Sequence, residues 1–197
     1  MTITLKKGNT LSLKKQDGSA LTKVRLGLGW DAVKRGGFFG GLFGGGGQEI
    51  DLDASAVLLD GSGNVEDIVF YNHLYSKDGS VRHTGDNLTG DGDGDDEQIV
   101  VDLNTVPSNI KNIVFVITSY SGQKFDEVEN VFARVVDLSG GAEKEFVRYD
   151  LADSHHSTAN VIAKLTRTGN GWEFAAIGDF TNGKTPHETV NTVTRHV

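Results

Sequence analysis

Apolar residues in this chain come in short runs, and the runs are broken by clusters of Gly, Asp, Asn and Ser. That punctuation limits the fold more than any other feature, because short strands fit between the breaks and long helices do not. Val24, Leu26 and Leu28 alternate with Lys23, Arg25 and Gly27, a period of two that gives one apolar face. Residues 54–59 are almost wholly apolar, Asp60-Gly-Ser-Gly-Asn64 supplies a turn, and Ile68-Val-Phe-Tyr71 follows. This reads as a hairpin whose glycines permit positive φ at the reversal. Ile99-Val-Val-Asp-Leu103 leads to Pro107, and Ile113-Val-Phe-Val-Ile117 reads as a strand buried on both faces. Phe132-Ala-Arg-Val-Val136, Phe146-Val-Arg-Tyr149, Val161-Ile-Ala-Lys-Leu165 and Trp172-Glu-Phe-Ala-Ala-Ile177 extend the series. The pattern predicts an all-β fold, a β-sandwich of two antiparallel sheets with a few short helices, in one domain spanning residues 1–197. A helix is expected over residues 185–197, with Thr185 as cap, Pro186 in the first turn, Glu188 closing a capping box and Val190, Val193 and Val197 forming its apolar stripe. A second, short helix is expected over residues 125–129.

Composition narrows the function. Lys and Arg total 19 against 27 Asp and Glu, a formal charge of −8, so the chain repels phosphate backbones and nucleic acid is not an expected partner. A hydrophobic share of 37% and a mean hydropathy of −0.28 fit a soluble globular chain with no membrane span. The opening Met1-Thr-Ile-Thr-Leu-Lys-Lys-Gly8 has no apolar signal core, which predicts a cytoplasmic protein. There is no Cys, which excludes disulfides, zinc–thiolate sites, iron–sulfur clusters and a cysteine nucleophile. Glycine, at 26 residues against 2 prolines, marks many tight turns.

Two segments break the strand pattern. Residues 36–47 set Phe38, Phe39, Leu42 and Phe43 among glycines. Such a segment reads as a flexible connector, with an apolar docking loop for a partner or membrane surface as the alternative. It is no phosphate-binding loop, since no Lys-Ser or Lys-Thr follows, and Gly27-Leu-Gly29 is no dinucleotide fingerprint, since Ala32 replaces the third glycine. The second segment, Asp86-Asn-Leu-Thr-Gly-Asp-Gly-Asp-Gly-Asp-Asp-Glu97, carries six carboxylates: Asp86, Asp91, Asp93, Asp95, Asp96 and Glu97. Like charges this close repel, while the interleaved glycines let carboxylates and carbonyls converge on a cation. Oxygen-only donors in a pliant loop favour Ca²⁺, which takes about six to eight oxygens, over the stricter Mg²⁺. A solvated acidic surface is the competing reading. An EF-hand does not fit, because Asp96 takes the glycine position and Asp102 stands where the bidentate Glu belongs. Asp31, Asp51, Asp53 and Asp78 recur at turns and strand ends; each singly reads as a turn cap, and as a set they lean towards ligands. Asp51 and Asp53, two apart on a strand, share one side.

Gly27-Leu-Gly-Trp-Asp31, Asp51-Leu-Asp-Ala-Ser55, Ser80-Val-Arg-His-Thr-Gly-Asp-Asn87, Gly90-Asp-Gly-Asp-Gly-Asp-Asp-Glu97 and Arg148-Tyr-Asp-Leu151 together resemble the TerD family of tellurium-resistance and stress proteins. The insertion between Asp31 and Asp51 looks most like the TerZ or TerX branch. The resemblance implies a β-sandwich that binds two Ca²⁺ ions near one end, without catalysis. Carried over by position, it implies Asp31, Asp51, Asp53, Asp78, Asp86, Asn87, Asp93, Asp95, Asp96 and Glu97 as metal ligands, with Gly90 contributing a carbonyl. Ser80 and His83 lie inside the motif without an assigned role.

The expected function is a calcium-dependent, non-catalytic module of a stress-response assembly, with other tellurium-resistance proteins as partners and no small-molecule substrate. The alternative is a calcium-dependent scaffold or peripheral inner-membrane protein acting through residues 36–47. A metal-dependent hydrolase is the weaker reading, because His155 and His156 are adjacent and chelate poorly, and neither Gly-x-Ser-x-Gly nor His-Glu-x-x-His occurs. Direct tellurite reduction would need thiols or a redox cofactor, and the chain has no Cys.

Overall fold

The computed structural model describes residues 2–32, 51–85 and 94–197. Twelve strands are present among them: β1 Ile3–Leu5, β2 Thr10–Ser12, β3 Lys23–Ala32, β4 Leu52–Asp60, β5 Val65–Val69, β6 Val81–His83, β7 Glu97–Asp102, β8 Ile110–Ser119, β9 Val128–Asp137, β10 Lys144–Asp150, β11 Ala159–Thr168 and β12 Gly171–Thr181. They form two six-stranded sheets. One runs in the order β1-β10-β9-β3-β7-β6 and the other β2-β12-β11-β8-β4-β5. Every pairing is antiparallel except that of β1 with β10. The all-β sandwich expected from strand periodicity is the fold observed.

The inner faces meet in one core. From the first sheet come Val24, Leu26, Leu28 and Trp30 of β3 with Ile99 and Val101 of β7, and from the second Ala54, Ala56, Ile113, Phe115, Ile117 and Phe174. The second sheet is also covered on its outer face. Val57, Leu59, Val114, Val116 and Val161 there pack with Val193 of α1, Pro186–Val193. Burial on both faces is why residues 54–59 and 113–117 are apolar without alternation.

The hairpin joining β4 to β5 turns where expected. Asp60 Oδ1 accepts the N–H groups of Ser62 at 2.7 Å and Asn64 at 2.9 Å, and Gly63 takes φ 83°. The helices differ from expectation in detail. Residues 125–127 make only a 3-10 turn, Phe125–Glu127, after which Val128 already belongs to β9. At α1, Pro186 occupies the first turn, but the capping box does not close. The Glu188 N–H is taken by the Thr185 carbonyl at 3.1 Å, and the Glu188 carboxylate reaches back to the Lys184 N–H at 3.2 Å. The helix ends at Val193 in a tighter 3-10 turn, Thr194–His196, which rotates Val197 off the buried stripe to 45% exposure. Thr189 and Thr192 are buried instead; their hydroxyls bond the Pro186 carbonyl at 2.7 Å and the Thr181 hydroxyl at 3.0 Å.

Val193 is fully buried between α1 and the outer face of the second sheet. Val193→Ala removes two methyl groups from that contact and is expected to cost about 1–3 kcal/mol, read as a lower denaturant midpoint at unchanged slope.

Candidate functional site

The end of β3 and the start of β7 bring part of the acidic segment into the fold. Leu28 pairs with Glu97 in the register of these strands. One residue earlier, the Asp96 N–H bonds the Leu28 carbonyl at 2.8 Å, and Asp96 Oδ2 accepts the Trp30 N–H at 2.8 Å. The Asp96 side chain thus replaces a backbone acceptor where the ladder runs out.

Its two neighbours go elsewhere. Glu97 shares the inward parity of Ile99 and Val101, and its side chain is wholly buried. There it accepts the backbone N–H of Ala54 and faces His83 Nε2 at 3.4 Å, while His83 Nδ1 accepts the Gly85 N–H at 3.2 Å. Glu97 therefore ties the first sheet to the open start of β4. Asp95 lies on the opposite, outer face of the first sheet, also with no exposed side-chain surface. Arg134 Nε on β9 donates to Asp95 Oδ1 at 2.6 Å, and Arg25 Nε on β3 stands 3.9 Å from Oδ2.

This crossing requires the glycines of β3. A Cβ on Gly27 would fall 2.1 Å from the Asp95 carboxyl, and one on Gly29 would fall 2.3 Å from the Phe132 ring and 2.9 Å from the Gly94 carbonyl. Glycine inside a strand is itself a signal of close approach, and it is the feature that could have located this contact in the sequence. Phe132, pressed onto Gly29, has the Arg148 guanidinium 3.8 Å from its ring centre.

The remaining candidates do not form one cluster with these. Asp31 is exposed at the close of β3 and accepts Asn130 Nδ2 at 2.7 Å; Asn130 takes a left-handed φ of 53°. Asp53 lies on the outer face of the second sheet, since Leu52 and Ala54 on either side of it belong to the core, and Asp51 directly precedes β4. Asp53, 3% exposed, stands opposite Thr118. Asp78 is not brought to the others. It caps the turn at residues 76–80 by accepting the Ser80 N–H at 2.8 Å, and Ser80 in turn bonds Asp102, at the far end of β7 from Glu97. Asp86, Asn87, Gly90, Asp91 and Asp93, together with residues 36–47, lie outside the described residues. Among the described residues no three His, Asp or Glu side chains converge closely enough to hold a metal ion. His155 stacks on Phe180 and meets Ser157 Oγ at 2.7 Å, while His156 pairs with Asp126 at 3.0 Å on the surface.

Charge nonetheless accumulates at Asp96. Burial, together with the nearby carboxylates of Asp31, Asp95 and Glu97, pushes its carboxyl up to about 6 against the lowering effect of the Trp30 N–H. A part-buried carboxylate among other carboxylates suits a hard cation, and Asp96 fits such a role, with the exposed Asp31 near it. Asp95 is already bound by guanidinium, and Asp78 caps its own turn.

Residues 1–186 match the model of the TerD domain. The chain belongs to the TerD family. Tellurium resistance protein TerZ of Serratia marcescens is 46% identical, covering 93% of this chain and 92% of its own length. Stress response protein SCP2 of Bacillus subtilis is 45% identical, covering 92% and 94%. The crystal structure of a homologue of telluride resistance protein (TerD) from Streptomyces coelicolor superposes with a TM-score of 0.68 at 19% identity, over 89% of this chain and 98% of that one. That likeness concerns the fold. These relatives are named for resistance and stress, not for catalysis, so the TerD-family chain sits in a tellurium-resistance and stress-response family. Among the described residues no helix is long and apolar enough to cross a membrane.

The raised Asp96 carboxyl gives metal-free protein a distinct pH response. A proton held more tightly folded than unfolded contributes stability that is complete below the ordinary value of 3.8 and is lost as pH rises through about 6. Asp17, Asp60 and Glu143 are held below their ordinary values by hydrogen bonds or Arg25, so their contributions fade only in more acidic solution. In chelator-treated protein, thermal melts between about pH 5 and 7 are expected to show a falling contribution that Asp96→Asn flattens. A slope identical in the variant overturns this assignment.

Proposed function

We propose that this TerD-family chain is a calcium-binding, non-catalytic module of a cytoplasmic stress-response assembly, with other tellurium-resistance proteins as partners. The observation that carries the reading is the strained negative charge at Asp96, beside Asp31 and at the root of the acidic segment. A divalent cation relieves that repulsion, and donors that are all oxygen select a hard ion; the glycine-spaced segment suits the irregular shell of Ca²⁺ better than an octahedral one. Asp31 and Asp96 would supply carboxylate oxygens to one ion from the end of β3 and the approach to β7, and Asp51 and Asp53 would serve a second ion at the start of β4. The ion would supply charge neutralisation and fixed loop geometry for a protein partner. The names of the relatives support the resistance and stress context. The absence of Cys supports an indirect part in resistance, since this chain offers no thiol to reduce tellurite.

Binding to the folded state alone raises stability by mass action. Isothermal titration of chelator-treated protein with CaCl₂ is expected to give heat, and saturating calcium to raise the melting temperature. Asp96→Asn is expected to weaken calcium binding by about tenfold or more, which corresponds to loss of about 1.4 kcal/mol. No heat and no change in melting temperature would sink the proposal.

A further inference from the structure

The acidic segment contains a residue that the family resemblance presents as a ligand and the geometry presents as something else. We infer that Asp95 is the anchor of this segment: its carboxylate, clamped by Arg134 and Arg25 across Gly27, fixes where Asp96 and Glu97 emerge, and it is not a donor to a cation.

Four observations support the assignment. The Asp95 side chain has no exposed surface, and its oxygens are turned onto the outer face of the first sheet, towards Arg134 Nε at 2.6 Å and Arg25 Nε at 3.9 Å. Neither arginine is free to drift. Arg25 forks onto Glu143, at 2.8 Å and 2.6 Å, and Arg134 also donates to Glu145 at 2.9 Å. Glu143, Arg25, Asp95, Arg134 and Glu145 thus form a chain of alternating sign. The bonds to Asp95 and Glu145 raise the pKa of Arg134, as mutual stabilisation requires. Lastly, β3 leaves a hole for the carboxylate: any side chain at Gly27 would occupy its place.

A carboxylate in this setting would lose a part-buried guanidinium partner on turning to a divalent ion, and Arg134 would be left with Glu145 alone. Its direction is also wrong for sharing an ion with Glu97, which points to the opposite face of the same sheet. The positioning effect passes through the backbone. Gly94 is held against β3 beside Phe132, and Asp96 then reaches the Leu28 carbonyl and the Trp30 N–H.

The inference deepens the calcium reading by removing Asp95 from the donor set, but its principal tests run on metal-free protein and stand apart from that reading. In chelator-treated full-length chain, Asp95→Asn and Arg134→Gln are each expected to lower the melting temperature by about 5 °C or more. The double variant should fall little further, because each single change already breaks the same pair. Arg134→Lys should recover part of the loss. A ligand-only Asp95 gives the opposite sign: Asp95→Asn would relieve repulsion in the metal-free state and leave the melting temperature unchanged or raise it. Amide hydrogen exchange supplies the local readout. Exchange at Trp30 should accelerate in both single variants by a larger factor than at Phe115 in the core, whereas general destabilisation would accelerate both alike. Where the wild-type chain gives calcium heat, the two variants should lose affinity by similar factors; a loss confined to Asp95→Asn overturns the anchor. If the wild type gives no calcium heat, the calcium reading fails and the melting and exchange results still decide the clamp.

Discussion

The passage of residues 94–97 across β3 is the constraint on which this end of the molecule depends. Three acids in a row would repel strongly if they faced one environment. Strand pairing prevents that. The Asp96 N–H on the Leu28 carbonyl fixes the backbone, and the bend at Asp96, just before β7 begins, breaks the alternation that would put both neighbours on one side, so Asp95 goes outward to guanidinium and Glu97 inward to the Ala54 N–H. Only Asp96 stays between, holding the Trp30 N–H. The separation is achieved in space among residues adjacent in sequence, and it works because β3 presents backbone without side chains at Gly27 and Gly29.

Much of the fold was legible because its signal is local. Period-two alternation marked β3, continuous apolar runs marked the doubly covered strands β4 and β8, and Asp60 to Asn64 contained the whole chemistry of a hairpin turn. The tail is helical with Thr185 at its N-cap, as the residue types indicate, but the capping box does not close, since a choice between the Thr185 carbonyl and hydroxyl as acceptor for one N–H depends on backbone angles that residue types do not specify. At the candidate site the same division holds. The outward side of Asp53 follows from its place between the core residues Leu52 and Ala54. That Asp78 stands apart does not, because an aspartate that caps a turn and one that binds an ion occupy the same kind of sequence.

The Arg134 contact was out of reach for a different reason. Asp95 and Arg134 are 39 positions apart, and they meet because the sheet order places β9 beside β3 and β3 beside β7. Sheet order is a non-local property. What the sequence did hold was the negative image of the contact, two glycines at alternate positions of a strand, where entropy and packing both disfavour glycine unless something lies against it.

The charges at this end divide accordingly. The outer face of the first sheet sets two guanidiniums against Asp95, Glu143 and Glu145 in an alternating chain, so its negative charge is largely met by the fold itself. Asp31 and Asp96 meet only neutral donors among the described residues, the Asn130 amide and the Trp30 N–H. Those donors orient a carboxylate without cancelling its charge. A cation reaching them would find oxygens already held by the backbone and by β9, and binding would forgo much of the ordering cost that a free acidic loop must bear. Position is thus supplied by hydrogen bonds and the arginine clamp, so an ion bound as proposed would meet carboxylates that the sandwich already holds in place.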